Sequence, residues 1–329
     1  MPKIVCTAPL PASLVSALVQ TALAQRGTKL EDLEVVSLQT RTKDELIELV
    51  SDADVVIGDY TFQVPIDSDV VAAMERCRLI QQPSAGYQQI DVEAAKSKGI
   101  PVANAGGAND VAVAEYTVMV GLALLRSLFW ADRHTRAGEW PQMAISQVGC
   151  VELQGKTWGI VGLGRIGKEV ARRLRPFGCK QLYHDVIRAP RDVEEELGVS
   201  YCELERLLET SDIVSLHVPL TPQTHHLIGE RELKLLGRSG FLINVARGEV
   251  VDEKALVEAL KEKKIKGAAI DVFEVEPPPA DHPLFSLDNV IVTSHVAGVT
   301  DEARRRIMQL TTENVARVLA GESPLNVVN

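Results

Sequence analysis

Little in the chain announces a special environment. Its five cysteines (Cys6, Cys77, Cys150, Cys179, Cys202) are odd in number and scattered, with no CxxC pair. That argues against a disulfide framework or a zinc module, and no metal set is expected. Positive charge is in deficit: 35 Lys and Arg against 45 Asp and Glu leave a net charge of −10. A chain devoted to nucleic acid or an anionic membrane would show the opposite balance. Long apolar runs are missing too. The longest uncharged apolar stretch in an expected helix is "YTVMVGLALL" at 116–125, half of a bilayer span. The opening "MPKIVCTAPLP" lacks the apolar core of a secretory signal, so the cytoplasm is the expected location. There is no internal repeat beyond an α/β alternation and no low-complexity segment, and "EPPPADHP" reads as a Pro-rich loop.

What is present is enough for two ordinary domains: 329 residues, 46% of them hydrophobic. Short β-branched runs recur from end to end. They are "KIVCT", "EVVSL", "DVVIGD", "RLIQQ" and "PVANA", then "TWGIVG", "QLYHD", "DIVSLHV", "GFLINV", "GAAIDV" and "NVIVTS". Helical patterns separate them, among them "TKDELIELVSD", where Thr42 and Glu45 have capping-box spacing, and the amphipathic "RIGKEVARRLRPFG" and "DEKALVEALKEKK". Apolar strands alternating with helices predict an α/β fold of doubly wound parallel sheets, twice over. Residues 109–137 read as one extended helix, apolar on more than one face. A last amphipathic helix is expected at about 300–320.

The most informative stretch is "TWGIVGLGRIGKEVARRL". Gly162, Gly164 and Gly167 fit G-x-G-x-x-G directly after a strand and before a helix. The first glycine permits the tight turn and the second lets the backbone approach a pyrophosphate. The third lets helix and strand pack closely, while the helix N-terminus offers amides to the anion. Asp185, 18 residues on from Gly167, ends the next expected strand, where an acid accepts from ribose hydroxyls and repels a 2′-phosphate. NAD is therefore favoured over NADP, with Arg188 and Arg191 the features that leave NADP open and a solvated turn the competing reading of Asp185.

Ligands of such sheets sit outside the carboxyl ends of the strands, so polar residues there are worth collecting. "FLINVARGEVVD" places Arg247 beyond one end, "AAIDVFEVEP" places Asp271, Glu274 and Glu276 at another, and "VIVTSHVAG" places His295 at a third. Each alone could be a surface cation, a loop acid or a boundary histidine.

Together with "SAGYQQID" (84–91), "GLGRIG" (162–167), "HVPLTPQT" (217–224), "NVARG" (244–248), "DVFEVEP" (271–277) and "SHVAG" (294–298), the chain resembles the D-isomer-specific 2-hydroxyacid dehydrogenases over nearly its whole length. The resemblance implies a Rossmann-type NAD-binding domain, 104–296, inserted into a smaller flavodoxin-like substrate domain, 1–103 plus 297–329. It implies that Arg247 binds the substrate carboxylate, that His295 is the general acid/base and that Glu276 partners it. An imidazole suits proton exchange near neutral pH, and a guanidinium can grip a carboxylate with two parallel hydrogen bonds. Cofactor contacts are implied for Arg165 and Ile166 at the turn, Asp185 at the ribose, and His217, Val218, Pro219 and Thr224 along the adenine side. Val245, Ala246, Asp271, Ala297 and Gly298 would hold the nicotinamide, with Arg247 and His295 beside it. His217 could instead be a packed strand-end residue, and Asp271 a cap on local backbone.

The loop "QQPSAGYQQID" resembles the family's substrate loop, with Ala85, Gly86 and Tyr87 near the substrate. Members acting on 3-phosphoglycerate place an arginine a few residues before that glycine, where this chain has Gln82; "GDYTFQVP" also lacks a cation. A phosphate dianion would be poorly held. The expected substrate is a small unphosphorylated D-2-hydroxy or 2-keto acid of the hydroxypyruvate, glyoxylate or pyruvate type, with Tyr60, Tyr87 and Gln89 as selectivity candidates. A homodimer is implied, to which the stretch after Trp140 could contribute. The competing readings are a D-3-phosphoglycerate dehydrogenase without a regulatory domain and a dinucleotide-sensing module like the C-terminal-binding co-repressors.

Overall fold

The computed structural model describes residues 1–30 and 32–329. The chain divides into two compact units, residues 1–109 with 300–329 and residues 110–299. Both boundaries fall a few residues beyond the expected ones.

The first unit opens β1 (Lys3–Cys6), α1 (Ala12–Gln25), β2 (Glu34–Ser37), α2 (Lys43–Val50) and β3 (Val55–Ile57). It continues α3 (Ser68–Ala73), β4 (Leu79–Gln81), α4 (Val92–Ser97) and β5 (Val102–Ala103). All five strands are parallel, in the order β2-β1-β3-β4-β5. Alternate residues feed two separate cores: Val5, Val56 and Ile80 enter one, Ile4, Val55, Ile57 and Leu79 the other. The sheet is thus covered on both faces, as near-continuous apolar strands require. The capping box at α2 is only half formed. Thr42 accepts from the Glu45 amide, but the Glu45 carboxylate reaches past Thr42 to the amides of Gln39, Thr40 and Arg41.

The second unit begins with α5 (Asp110–Leu125), α6 (Leu128–Arg136) and α7 (Ala144–Val148). Then come β6 (Thr157–Val161), α8 (Arg165–Leu174), β7 (Lys180–His184), α9 (Arg191–Leu197), β8 (Val199–Tyr201), α10 (Leu204–Thr210) and β9 (Ile213–Leu216). It ends with α11 (Glu230–Leu236), β10 (Phe241–Asn244), α12 (Glu253–Lys261), β11 (Gly267–Ile270) and β12 (Val290–Val292). The last helix, α13 (Asp301–Leu319), belongs to the first unit and is capped by Thr300, whose hydroxyl accepts from Ala303 N. The seven-stranded sheet is parallel throughout, in the order β12-β11-β10-β9-β6-β7-β8. From β6 the chain winds outward through β7 and β8, then returns to β9 and winds the other way. The topological switch lies between β6 and β9, where ligands of such folds bind.

Two expectations need correction. The single helix over 109–137 is two helices bent by 66°, because Ser127 adopts a left-handed conformation (φ 48°) and ends the first. No glycine or proline marks that break, and α5 is buried nearly all round within its unit. Strand β8 was not expected at all: it is three residues long and follows Gly198. Among the described residues no single helix is long and apolar enough to cross a membrane. Trp158, fully buried in β6, reaches α5 at Gly121, where an added Cβ would lie 2.2 Å from the indole.

Candidate active site

The glycine turn sits at the switch point. Gly162 (φ 95°) leaves β6 with its would-be Cβ 2.8 Å from the His217 carbonyl, a conformation that favours glycine. At Gly167 a Cβ would lie 2.1 Å from the Gly162 carbonyl, so the third glycine lets α8 close on the turn. Around the Cβ position of Gly164, the N-cap of α8, there is open space. The first-turn amides of α8, beginning with Arg165 and Ile166, have no intrahelical acceptor by their position.

Asp185 lies beyond β7, and its Oδ2 accepts from Leu163 N at 2.7 Å, so one carboxylate oxygen stiffens the turn. Arg188 is held by both oxygens of Glu194 (2.9 and 3.0 Å) and Arg191 by Glu195, so neither cation is unpaired. His217, at the end of β9, shares Ser215 Oγ with Trp158 Nε1, each at 2.9 Å. Its other nitrogen, Nδ1, is buried with no partner among the described residues, and burial lowers its pKa to about 3. Val218 packs on the core, while the Thr224 hydroxyl donates to the Pro219 carbonyl and so shapes that loop. A space a side chain would fill and an orphaned buried nitrogen at one switch point fit a dinucleotide there.

Arg247, Asp271 to Glu276, and His295 follow β10, β11 and β12, three adjacent strands of the sheet. Each turn is held by a buried polar residue. Asn244, 1% exposed, accepts from Ala246 N and donates to the Arg247 carbonyl, fixing Val245–Arg247. Asp271, also 1% exposed, accepts from Thr293 Oγ1 and Val296 N on one oxygen and from Ala297 N on the other. The Thr293 hydroxyl spends its proton there and so accepts from Tyr116. These bonds make Asp271 a cap on local backbone, the competing reading the sequence offered for it, with Ala297 held through its amide. They hold His295 in a left-handed conformation (φ 57°) that a bulky side chain adopts only where its surroundings enforce it, with His295 N donating to the Asp271 carbonyl. Asn244, Tyr116 and Thr293 were not singled out as site residues in the sequence, although all three lie within segments quoted there.

The centre of the site is a pair. His295 Nδ1 lies 2.8 Å from Glu276 Oε2, and Glu276 Oε1 accepts from Phe273 N at 3.1 Å. Burial alone would raise the Glu276 carboxyl. The hydrogen bond with His295, that residue's charge, the Phe273 amide and the Arg247 charge outweigh it and hold the pKa below the usual range. Burial lowers the Arg247 pKa, against the opposing pull of Glu276 and Glu249, and its Nη1 donates to the Ala246 carbonyl at 2.6 Å.

Ala85, Gly86 and Tyr87 lie in the first unit, in the loop after β4. Asn104 donates to the Ala85 carbonyl and Ser84 to the Gly86 carbonyl. The Tyr87 ring packs against the core, and Gln89 Nε2 donates to the Asp59 carbonyl, both supporting roles. Gln82 is fully buried, donating to the Asp59 carbonyl and Ser84 Oγ. The stretch "GDYTFQVP" does meet a cation in space: Arg41 pairs with the buried Asp59 at 2.7 Å, a contact with no motif to announce it.

Comparison with known proteins agrees with this arrangement. The family model described as D-isomer specific 2-hydroxyacid dehydrogenase, NAD binding domain, matches residues 118–297. The chain is 44% identical over 293 residues to a glyoxylate reductase of Korarchaeum cryptofilum, covering 88% of this chain and 86% of that protein. It is 41% identical to a D-3-phosphoglycerate dehydrogenase of Methanocaldococcus jannaschii over 96% of this chain but only 60% of that one. The NAD complex of the NAD-dependent formate dehydrogenase of Staphylococcus aureus superposes with a TM-score of 0.84 at 30% identity, covering 99% of each chain. The chain belongs to the D-isomer specific 2-hydroxyacid dehydrogenase family and is an NAD-dependent oxidoreductase of 2-hydroxy and 2-keto acids.

Proposed function

We propose that the enzyme interconverts a small unphosphorylated 2-keto acid, of the glyoxylate, hydroxypyruvate or pyruvate type, and the corresponding D-2-hydroxy acid. The observation that carries this reading is the Glu276 carboxylate, fixed by its own loop on one oxygen and committed to His295 Nδ1 on the other. Nδ1 therefore donates, and Nε2 is the nitrogen left to exchange a proton. When bound, NADH supplies the hydride to C2. His295 Nε2 gives the proton to the oxygen on that carbon in reduction and takes it back in oxidation. Glu276 fixes the ring's orientation and its tautomer. Arg247 grips the substrate carboxylate through its planar fork, and its partial burial strengthens that grip.

Gln82 at the position of the phosphoglycerate enzymes' arginine supports an unphosphorylated substrate, and Arg41, the cation that meets "GDYTFQVP", is paired with Asp59. The Ala85–Tyr87 loop has its Ala85 and Gly86 carbonyls tied down, and its amides have no protein acceptor among the described residues. That supports a second anion-binding segment within the first unit.

A panel of keto acids with NADH and NADPH, followed at 340 nm, tests the reading. Turnover with glyoxylate, hydroxypyruvate or pyruvate is expected; comparable efficiency with the 3-phosphoglycerate couple would favour the phosphorylated alternative. Arg247→Ala and His295→Ala should each lose about 10²- to 10⁴-fold in kcat/KM while NADH still binds. Undiminished turnover in either would sink the assignment.

The proposal includes a cytoplasmic homodimer. All five cysteines are unpaired, which suits a reducing compartment. Met119, Leu128, Phe129 and Phe177 line an open apolar hollow of about 980 Å³, and Trp140 and Met143 nearby in sequence are almost fully exposed. Sedimentation at micromolar concentration should give twice the chain mass, and a monomer would remove the dimer from the proposal.

A further inference from the structure

A second His–Glu pair lies behind the first and is built to the same plan. His282 Nε2 is 2.8 Å from Glu253 Oε1, and Glu253 Oε2 accepts from Glu274 N at 3.3 Å. In the working pair, His295 contacts Glu276 and Glu276 accepts from Phe273 N. The two carboxylates thus take two consecutive amides, those of Phe273 and Glu274. The clasp is reciprocal, since Glu253 N donates to Glu274 Oε1 at 3.0 Å, and His226 Nε2 lies 3.0 Å from the same oxygen. The third side of this backbone is closed by Gly248, where a Cβ would lie 1.9 Å from the Phe273 carbonyl carbon. Phe273 itself is buried edge-on against His282, with ring centres 5.4 Å apart.

The wiring of His282 differs from that of His295. Its Nδ1 accepts from Leu284 N at 3.3 Å, so Nε2 carries the proton and donates to Glu253. Both nitrogens are committed, and the ring is 7% exposed. It has no means of exchanging protons with a ligand, yet it orients the carboxylate that holds Glu274, two residues before Glu276.

We infer that Glu253 and His282 are positioning residues for the reaction: they fix the Phe273–Glu274 peptide and, through it, the height and angle at which Glu276 meets His295. This rests on the assignment of His295 and Glu276 above. The linkage runs through one residue, Phe273, whose own amide and whose peptide bond to Glu274 carry the two contacts, so a shift at Glu253 is transmitted to the Phe273 amide without any contact to substrate. Proton exchange demands sub-ångström alignment, whereas dinucleotide binding at the glycine turn does not involve this loop.

The test compares Glu253→Ala, His282→Leu, His282→Gln and His295→Ala in the full-length protein, with glyoxylate or whichever keto acid of the panel turns over. Glu253→Ala and His282→Leu should lower kcat roughly ten- to hundred-fold, the scale of a misplaced catalytic group, with KM and the NADH dissociation constant within about twofold of wild type. His282→Gln, whose amide can donate from the position of Nε2, should recover most of the loss. Wild-type kcat in Glu253→Ala, a loss expressed mainly in KM or NADH binding, or no recovery in His282→Gln would each overturn the inference. If Glu253→Ala does not fold, the two His282 variants decide. Should His295→Ala keep turning over, the assignment of the acid/base fails and takes the inference with it. A dead His295→Ala beside an unimpaired Glu253→Ala defeats the inference alone.

Discussion

Two of the histidine–glutamate pairs of the second unit, His295–Glu276 and His282–Glu253, have the same contact distance and opposite characters. In one, His295 is partly exposed and commits a single nitrogen. In the other, His282 is buried and commits both. The carboxylates are equally engaged, each holding one backbone amide besides its histidine. What separates a proton-exchanging pair from a supporting one is therefore neither the residue types nor their spacing. Between these two pairs it is the exposure of the ring and whether the protein engages its second nitrogen. His217 differs from both: its buried Nδ1 has no partner among the described residues, and its Nε2 meets the Ser215 hydroxyl, not a carboxylate.

The comparison breaks most severely at Gly248. Its Cα faces the Phe273–Glu274 peptide, next to both amides that the pairs hold, and an added methyl would collide with backbone atoms of Phe273 and Glu274 at 1.9 to 2.3 Å. Backbone cannot rotate away as a side-chain tip can, so Gly248→Ala must displace either the Arg247 turn or the loop. A loss of about 1–3 kcal/mol in unfolding free energy is expected from overpacking of this kind, with kcat falling as well because both pairs move. Denaturant melts and steady-state rates check it. Wild-type stability together with wild-type kcat would show that the Phe273–Glu274 peptide is not the rigid element described.

His217 sharpens the comparison through pH. A histidine whose folded pKa lies near 3 stays neutral while its counterpart in the unfolded chain, near 6.5, takes up a proton. Between those values the unfolded state binds more protons, so stability falls as pH falls, by up to about 1.4 kcal/mol per unit. His217→Gln removes that slope. Between pH 6.5 and 4.5 the wild type should lose about 1–2 kcal/mol more than the variant, measured by urea unfolding. Parallel curves would mean that water or a local opening solvates the ring.

Much of this was legible before any coordinates. The eleven expected strands all form, because near-continuous apolar runs bounded by glycine and charge leave a parallel sheet as the economical burial. Arg247, Asp271, Glu274, Glu276 and His295 were collected because strand ends are where doubly wound sheets place chemistry, and the family resemblance chose Glu276 among the acids. The break at Ser127 was invisible, since neither Arg126 nor Ser127 is a helix breaker and only tertiary packing turns the chain there. Arg41 was equally hidden: its partner Asp59 is eighteen positions away, and a long-range ion pair leaves no periodicity. Of the polar residues behind the site, Asn244 and Thr293 fall in expected strands, Glu253 in an expected amphipathic helix and His282 in the Pro-rich loop. Their roles depend on which backbone amides point at them, and spacing does not encode that.

The smallest expected effect belongs to Glu276 itself, and it bears on how the working pair differs from a purely structural one. Its folded pKa lies below the ordinary value of 4.5, so its stabilising contribution is complete above that pH. The contribution is lost as pH falls through the depressed value, where the carboxyl takes up a proton and its bond to imidazolium weakens. The side chain is 37% exposed, so solvent screening limits the effect to about a few tenths of a kcal/mol. Glu276→Gln should therefore be slightly less stable than wild type at pH 6, and the gap should narrow as pH falls below 4.5, while kcat is depressed at every pH at which the enzyme stays folded. A stability gap that widens in acid would reverse the sign of the coupling. It would mean that the carboxylate is held at a net cost in the folded protein, tolerated for the sake of catalysis, and that the resemblance between the two pairs is confined to geometry.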